Sequence, residues 1–458
     1  MGSEQPERIA RRQLEDVILP FWLENGIDTE HGGFFTCFDN RGRRRLSTNK
    51  FTWSQGRFVW LLARAARLAD RGLLSPDGPR FDAGTLIRHA ERGASFLLDH
   101  AVRPDGRCAY VLDERGGTAL DEEGRPLPVE RSIFADAFVA MGLAELTRYT
   151  GSPDHLPTID VIVQRIADDV EAGDPPTPPY PLPPGCSGFG ARMIVLNARL
   201  DQARAHQAVL AQAGVHQTGS AQARDHQAAS DRTGVHQAAS DRRTTAPRPG
   251  KALPYADELR AARRAMVAHR EDSGLFTETF VADPDKRDTI LARHRTPGHA
   301  LEGIWMALEA GHLLGETGDH GDLVASVSAL CEAGWDDEHG GLFRYVGVSG
   351  RPYGGPYEDL VRRTWSTKLW WVHTEAAYAT RLAAERYGDR EAAGWFDRIW
   401  DYTLGTFPGG TDGEEWIQIR DRAGAPLDEV VALPVKDPYH IARNLMQIVE
   451  LGAQGDQS

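Results

Sequence analysis

The sequence predicts an all-α architecture, an (α/α)6 barrel with short β-hairpins gathered at one end. Two observations carry that expectation. One order of elements (helix, short turn-rich hairpin, helix) runs through the 458 residues five times clearly and once weakly. It returns every ~65 to 85 residues, a period that marks repeat architectures.

Residues 6–25 read as the first helix, with Ile9, Leu14, Ile18, Phe21 and Trp22 on one side. D-T-E-H-G-G-F-F-T-C-F-D-N-R-G-R follows, where alternating Phe34, Thr36 and Phe38 suggest a short strand closed by a turn. K-F-T-W-S-Q-G-R-F-V-W-L-L-A-R-A-A-R-L-A then forms a strong helix. The order recurs as helix 85–100, P-D-G-R-C-A-Y-V-L-D-E-R-G-G and helix 131–150. Further copies follow Gly274 (S-G-L-F-T-E-T-F) and Gly340 (W-D-D-E-H-G-G-L-F-R-Y-V, then K-L-W-W-V-H-T-E-A). The last is E-E-W-I-Q-I-R-D-R-A-G, and the weak one surrounds C-S-G-F-G-A-R-M-I-V-L-N. Residues 175–184, P-P-T-P-P-Y-P-L-P-P, form a stiff connector. Closing six units gathers the hairpins and every second helix start on one end, around one pocket.

The whole chain, 1–458, is expected to be one such domain, interrupted by an insertion at about 205–250. There His206, His216, His226 and His236 stand ten residues apart in an Ala/Gln/Asp/Arg-rich tract. On a helix ten residues advance ~1000°, about 80° short of full turns, so the rings would spiral apart. On a strand they would be ~33 Å apart. A low-complexity insertion explains the tract better than a metal site.

A net charge of −14, from 52 Lys and Arg against 66 Asp and Glu, argues against nucleic acid or an anionic membrane as partner. A small neutral substrate fits that charge better, with a homodimer allowed for. Met1–Ala10 holds no apolar signal core, and no run of ~18 apolar residues occurs, so a cytoplasmic location is expected. Cys37, Cys108, Cys186 and Cys331 are scattered, as free thiols would be.

Two helix starts carry the chemistry. In R-H-R-T-P-G-H-A-L-E, Thr296 can cap, Pro297 takes the first helical position and His299 the third. Glu302 shares the face of His299, while Leu301, Ile304, Trp305 and Leu308 face a core. The positive helix end disfavours imidazolium, so His299 is expected to be a neutral base. V-K-D-P-Y-H-I-A-R repeats the device with Asp437, Pro438 and His440, and Arg443 follows one turn on. The two histidines suit an acid/base pair.

K-F-T-W-S-Q-G-R (50–57), P-G-H-A-L-E (297–302), K-L-W-W-V-H-T-E-A (368–376) and K-D-P-Y-H-I-A-R (436–443) together resemble the N-acylglucosamine 2-epimerase superfamily, over roughly residues 10–450. That group includes cellobiose 2-epimerases and mannose-type aldose-ketose isomerases. The resemblance implies the (α/α)6 barrel and assigns Arg57, His299, Glu302 and His440 as the catalytic set. Trp53, Trp371, His373, Glu375 and Arg443 are the expected substrate contacts. The chain departs from the cellobiose and mannose branches in the third unit, where Ile194 and Asn197 replace His and Glu.

The chemistry expected is epimerisation of a free aldose, an N-acylhexosamine or a hexose. A base removes the C2 proton, the enediolate oxygen is stabilised by Arg57, and a second group returns a proton to the other face. Glu302 is expected to orient or tune His299. No metal or other cofactor is needed. Aldose-ketose isomerisation is the alternative on the same groups. An inverting glycoside hydrolase or a non-catalytic sugar-binding protein would leave the paired histidines without a role.

Overall fold

Helices apolar on all sides must be enclosed, and helices with one apolar stripe cover them. The computed structural model describes residues 4–74, 82–121, 123–127, 130–230, 253–409, 414–431 and 433–455, with backbone alone for 214–230 and 455. In chain order, α1 (Pro6–Gln13) runs through a π-helical stretch (Leu14–Ile18) into α2 (Leu19–Asn25). Then come α3 (Thr52–Asp70), α4 (Ala83–Phe96), α5 (Ile133–Thr150), α6 (Leu156–Glu171), α7 (Phe189–Ser230) and α8 (Ala256–Val267). The second half holds the short α9 (Ile290–Arg293), α10 (Pro297–Leu314), α11 (His320–Gly334), α12 (Pro356–Thr364), α13 (Trp370–Tyr387), α14 (Arg390–Thr406) and α15 (Tyr439–Gly455).

In α3, α5, α10 and α13 buried positions run round the whole helix. These four, with α7 and α15, form an inner ring in which α3 touches α5, α5 touches α7, and so on through α10, α13 and α15 back to α3. The outer helices each bury a stripe, as α4 does with Leu86, Ile87, Ala90, Gly93, Ala94 and Phe96. Thus α1 packs on α15, α4 on α3, α6 on α5, α8 on α7, α11 on α10 and α14 on α13. This is the (α/α)6 barrel that the repeat predicts.

Strands are short, as expected. Three antiparallel pairs join β1 (Lys50–Phe51) to β2 (Val111–Leu112), β3 (Cys186–Gly188) to β4 (Thr279–Val281), and β5 (Lys368–Leu369) to β6 (Ile419–Arg420). The expected strand at Phe34–Phe38 is reduced to isolated bridges, Ile27 to Phe34 and Phe38 to Arg45. On the side of Phe34 that faces away from Ile27, Gln55 Oε1 accepts from Phe34 N–H at 2.7 Å and its Nε2 donates to Phe34 C=O at 2.8 Å. Both ladder groups of Phe34 are taken.

In both copies of the D-x-E-H-G-G motif a buried lysine holds the aspartate and one glycine carbonyl, the first glycine's in one copy and the second's in the other. Lys50 Nζ lies 2.7 Å from Asp28 and 2.6 Å from Gly32 C=O. Lys368 Nζ lies 3.1 Å from Asp336 and 3.3 Å from Gly341 C=O. Both lysines are fully buried and fix a hairpin to the start of an inner helix. Of the spaced histidines, His206 bonds Asp160 of α6 at 2.9 Å. His216 and His226 fall on the backbone-only part of α7, and His236 lies outside the described residues. The four cysteines are buried free thiols. Among the described residues no helix is long and apolar enough to cross a membrane.

Candidate active site

The inner-helix starts surround a cavity of about 140 Å³, reached by side chains from α3, α5, α7, α10, α13 and α15. At α15, Ala442 N–H bonds Pro438 C=O at 2.9 Å, which makes His440 the second helical residue rather than the third. Pro438 thus stands at the cap position expected of Asp437, and Asp437, one residue earlier, accepts from Tyr439 N–H at 2.9 Å through Oδ1.

His440 is held by both nitrogens. Nδ1 lies 2.6 Å from Glu375 Oε1, and Nε2 lies 3.1 Å from Arg57 Nη2. A guanidinium only donates, so Nε2 must accept there and Nδ1 must carry the proton that goes to Glu375. The partners assign a neutral imidazole whose basic nitrogen faces Arg57 and the cavity. Arg57 itself is ion-paired with Asp437 and lies 4.0 Å from the centre of the Phe138 ring.

His299 is the third residue of α10, as predicted, but its partner is Glu278, from the hairpin before that helix, at 3.0 Å from Nδ1. Burial alone would lower the pKa of His299. The charge and hydrogen bond of Glu278, with the charge of Glu302, outweigh burial, and the pKa is raised above 6.5. The expectation of a neutral His299 is therefore corrected: a carboxylate in contact outweighs the diffuse positive end of a helix.

The Trp371 ring touches both imidazoles, its centre 5.2 Å from that of His299 and 5.8 Å from that of His440. Beneath them Arg443 Nη2 donates to Glu302 Oε1 at 2.5 Å and also to Glu375. Glu375 further accepts from Trp305 Nε1 at 2.8 Å and Asn444 Nδ2 at 2.7 Å. Among the described residues, Glu302, Glu375 and His440 are spaced to hold a metal ion. The Arg443 guanidinium already bridges the two carboxylates, so a cation's place there is filled by the protein.

Residues 258–443 match the family model described as N-acylglucosamine 2-epimerase (GlcNAc 2-epimerase). Over nearly its whole length the chain is similar to curated N-acylglucosamine 2-epimerases. The Bos taurus protein is 27% identical over 452 residues, covering 97% of this chain and 90% of its own. The Homo sapiens protein is 28% identical over 443 residues, covering 95% and 88%. These matches support the resemblance to the N-acylglucosamine 2-epimerase superfamily read from the sequence. In fold, it superposes on the cellobiose 2-epimerase of Bacillus thermoamylovorans B4167 with a TM-score of 0.69, at 17% identity, over 97% of this chain and 98% of that one.

Against the superfamily set inferred from sequence, the structure brings Arg57, His299, Glu302, His440, Trp53 and Trp371 to the cavity wall. Glu302 does not orient His299; it faces Arg443, and lies 4.0 Å from His440 Nδ1. Three expected substrate contacts are displaced from the cavity. His373 is fully buried, accepting from Leu342 N–H at 2.8 Å through Nε2 and donating to Leu369 C=O at 2.7 Å through Nδ1. Glu375 and Arg443 are buried behind His440 and support it. In the third unit Ile194 reaches the cavity and Asn197 does not. Sequence reading missed Glu278, Arg344 and the tyrosines 180, 345 and 357. Glu278 was visible only as part of the hairpin S-G-L-F-T-E-T-F, and its contact crosses from hairpin to helix.

Proposed function

We propose that this chain is a sugar 2-epimerase that interconverts the C2 epimers of a free aldose through an enediolate. The observation that carries the reading is a pair of cavity-wall histidines, each in contact with its own carboxylate and joined by Trp371. The names of the full-length relatives support it.

In one direction His440 Nε2 takes the proton from C2 of the open-chain aldose, and the C–H electron pair moves into the C1–C2 bond as the carbonyl becomes an oxyanion. Arg57, already within reach of Nε2, supplies fixed N–H donors and positive charge to that oxygen. Glu375 stabilises the imidazolium that forms on His440. His299, favoured in its protonated form by Glu278, returns a proton to the other face of C2 and the carbonyl is restored. In the reverse direction the two histidines exchange roles. Glu302 keeps one oxygen on Arg443 and offers the other to a sugar hydroxyl. Trp53 and Trp371 present ring faces to the sugar.

Incubation in D2O with either epimer of the glucose/mannose and N-acetylglucosamine/N-acetylmannosamine pairs tests the proposal by NMR. The expected product is the other epimer with solvent deuterium at C2. His299→Asn and His440→Asn should each abolish net epimerisation, one of them retaining exchange of a single epimer. A ketose formed first, with one histidine dispensable, would replace the reading by aldose-ketose isomerisation.

A further inference from the structure

Two arginines line the cavity, and their surroundings differ. Arg57 is ion-paired with Asp437. Arg344, 3% exposed, has no carboxylate partner among the described residues. Its Nη1 donates to Thr364 Oγ1 at 3.1 Å, its Nη2 makes a long contact of 3.5 Å with Tyr180 Oη, and its buried Nε has no acceptor. Its guanidinium also lies against Tyr345, 4.9 Å from the ring centre and in a side-chain hydrogen bond with that residue, but the tyrosines around it do not supply the missing charge. Tyr180 already donates to Val431 C=O at 2.6 Å, and Tyr357 Oη lies 3.1 Å from His294 Nε2. Burial raises the phenol pKa of Tyr180, Tyr345 and Tyr357 above the usual 10, so all three are neutral. A buried guanidinium is ordinarily paired, and an unpaired donor inside a pocket calls for a ligand.

We propose that Arg344, with Tyr180 beside it, is the specificity subsite for an oxyanion carried by the sugar, so that the substrate is an acidic aldose. The inference rests on the epimerase reading for where the sugar lies. Arg344 and His299 line the same cavity. An aldose with C2 at the histidines can therefore reach Arg344 with a substituent from its far carbons. The planar fork of arginine suits a carboxylate or a phosphate, and the ligand brings the countercharge that the protein does not provide. The proline-rich connector gains a use here, since Tyr180 is its one aromatic residue and it reaches the cavity.

The test compares D-glucuronate, D-glucose 6-phosphate, D-glucose and N-acetyl-D-glucosamine by calorimetric titration and by C2 exchange in D2O, on the full chain and on Arg344→Gln and Arg344→Met. We expect one acidic sugar to bind and exchange about 10- to 100-fold better than glucose, and Arg344→Gln to remove that preference. The carboxylate and phosphate arms decide which oxyanion fits. Neither substitution should lower the melting temperature of the ligand-free protein, because each removes an unpaired buried charge. A preference for neutral or N-acetylated sugars, an equal effect of Arg344→Gln on all four, or a lowered melting temperature would overturn the subsite. If no aldose exchanges its C2 hydrogen yet an acidic sugar still binds through Arg344, the epimerase reading falls and the subsite stands.

Discussion

His440 donates its Nδ1–H to Glu375 at 2.6 Å, and Glu375 stands as far beyond Lys368 in α13 as Arg57 stands beyond Lys50 in α3. The repeat therefore delivers an anion and a cation from equivalent positions to the two nitrogens of one ring. Glu375→Gln tests what the anion does. An amide can still accept from Nδ1–H, but it cannot stabilise the imidazolium that forms when His440 takes a proton. We expect kcat to fall by about 100-fold or more. We also expect a loss of about 3 kcal/mol in stability, because Arg443 loses one of its two carboxylates. Steady-state kinetics and denaturant melts read the two effects separately. Unchanged kcat with lowered stability would make Glu375 a purely structural anchor.

The helix starts were legible because capping and proline placement are local rules: Thr296–Pro297 put His299 at the third position as observed. Proline came one residue early at α15, since Pro438 serves as the cap and shifts His440 to the second position. The barrel was legible because its repeat leaves a period in the chain. Contacts between units were not. Glu302 is one turn from His299, yet the ring turns to Glu278 on another segment and Glu302 turns to Arg443. His373 looked like a pocket residue beside Trp371, but successive helical residues point in different directions, and its ring faces the hairpin at Leu342.

Glu278 sets the pH behaviour of His299. The folded pKa of His299 is raised above 6.5. Its contribution to stability is thus fully present below pH 6.5 and is lost as pH rises through the folded value. In the direction where His299 is the acid, kcat falls over the same range. Glu278→Gln should move that fall to lower pH and flatten the pH dependence of the melting temperature above 6.5. A basic limb that stays in place in the variant would show that another group controls it.

Gly298 makes room for the ring between the histidines. A Cβ at this position would lie 2.7 Å from Trp371 Cζ3, 3.0 Å from its Cη2 and 3.0 Å from Val372 Cγ2. Alanine would favour the helix by about 1 kcal/mol in isolation, but the indole must move to admit it. Gly298→Ala should lower kcat/KM about 10- to 100-fold, since both imidazoles lean on that ring. Full activity in Gly298→Ala would mean that Trp371 does not set their geometry.

His373 and Gln55 occupy equivalent places in the two copies of the repeat, and each accepts the N–H that follows the paired glycines, His373 from Leu342 and Gln55 from Phe34. Glutamine is thus a replacement the fold already uses. The two side chains differ in titration: burial is the first cause that lowers the His373 pKa, to about 3, so the folded protein excludes the proton that the unfolded chain binds. A depressed folded value means that the stability from this group is complete above pH 6.5 and drains away as pH falls from 6.5 towards 3. Each pH unit in that window removes up to about 1.4 kcal/mol. Glutamine does not titrate. His373→Gln should therefore keep kcat/KM within about twofold at neutral pH, because the ring never meets substrate, and should unfold at a lower pH than the parent. Acid titrations followed by circular dichroism, with kinetics at pH 7.5, would check both halves. A large loss of activity in a well-folded variant would return His373 to the pocket. An unchanged acid midpoint would mean that other buried groups, not this imidazole, set the acid limit of the fold.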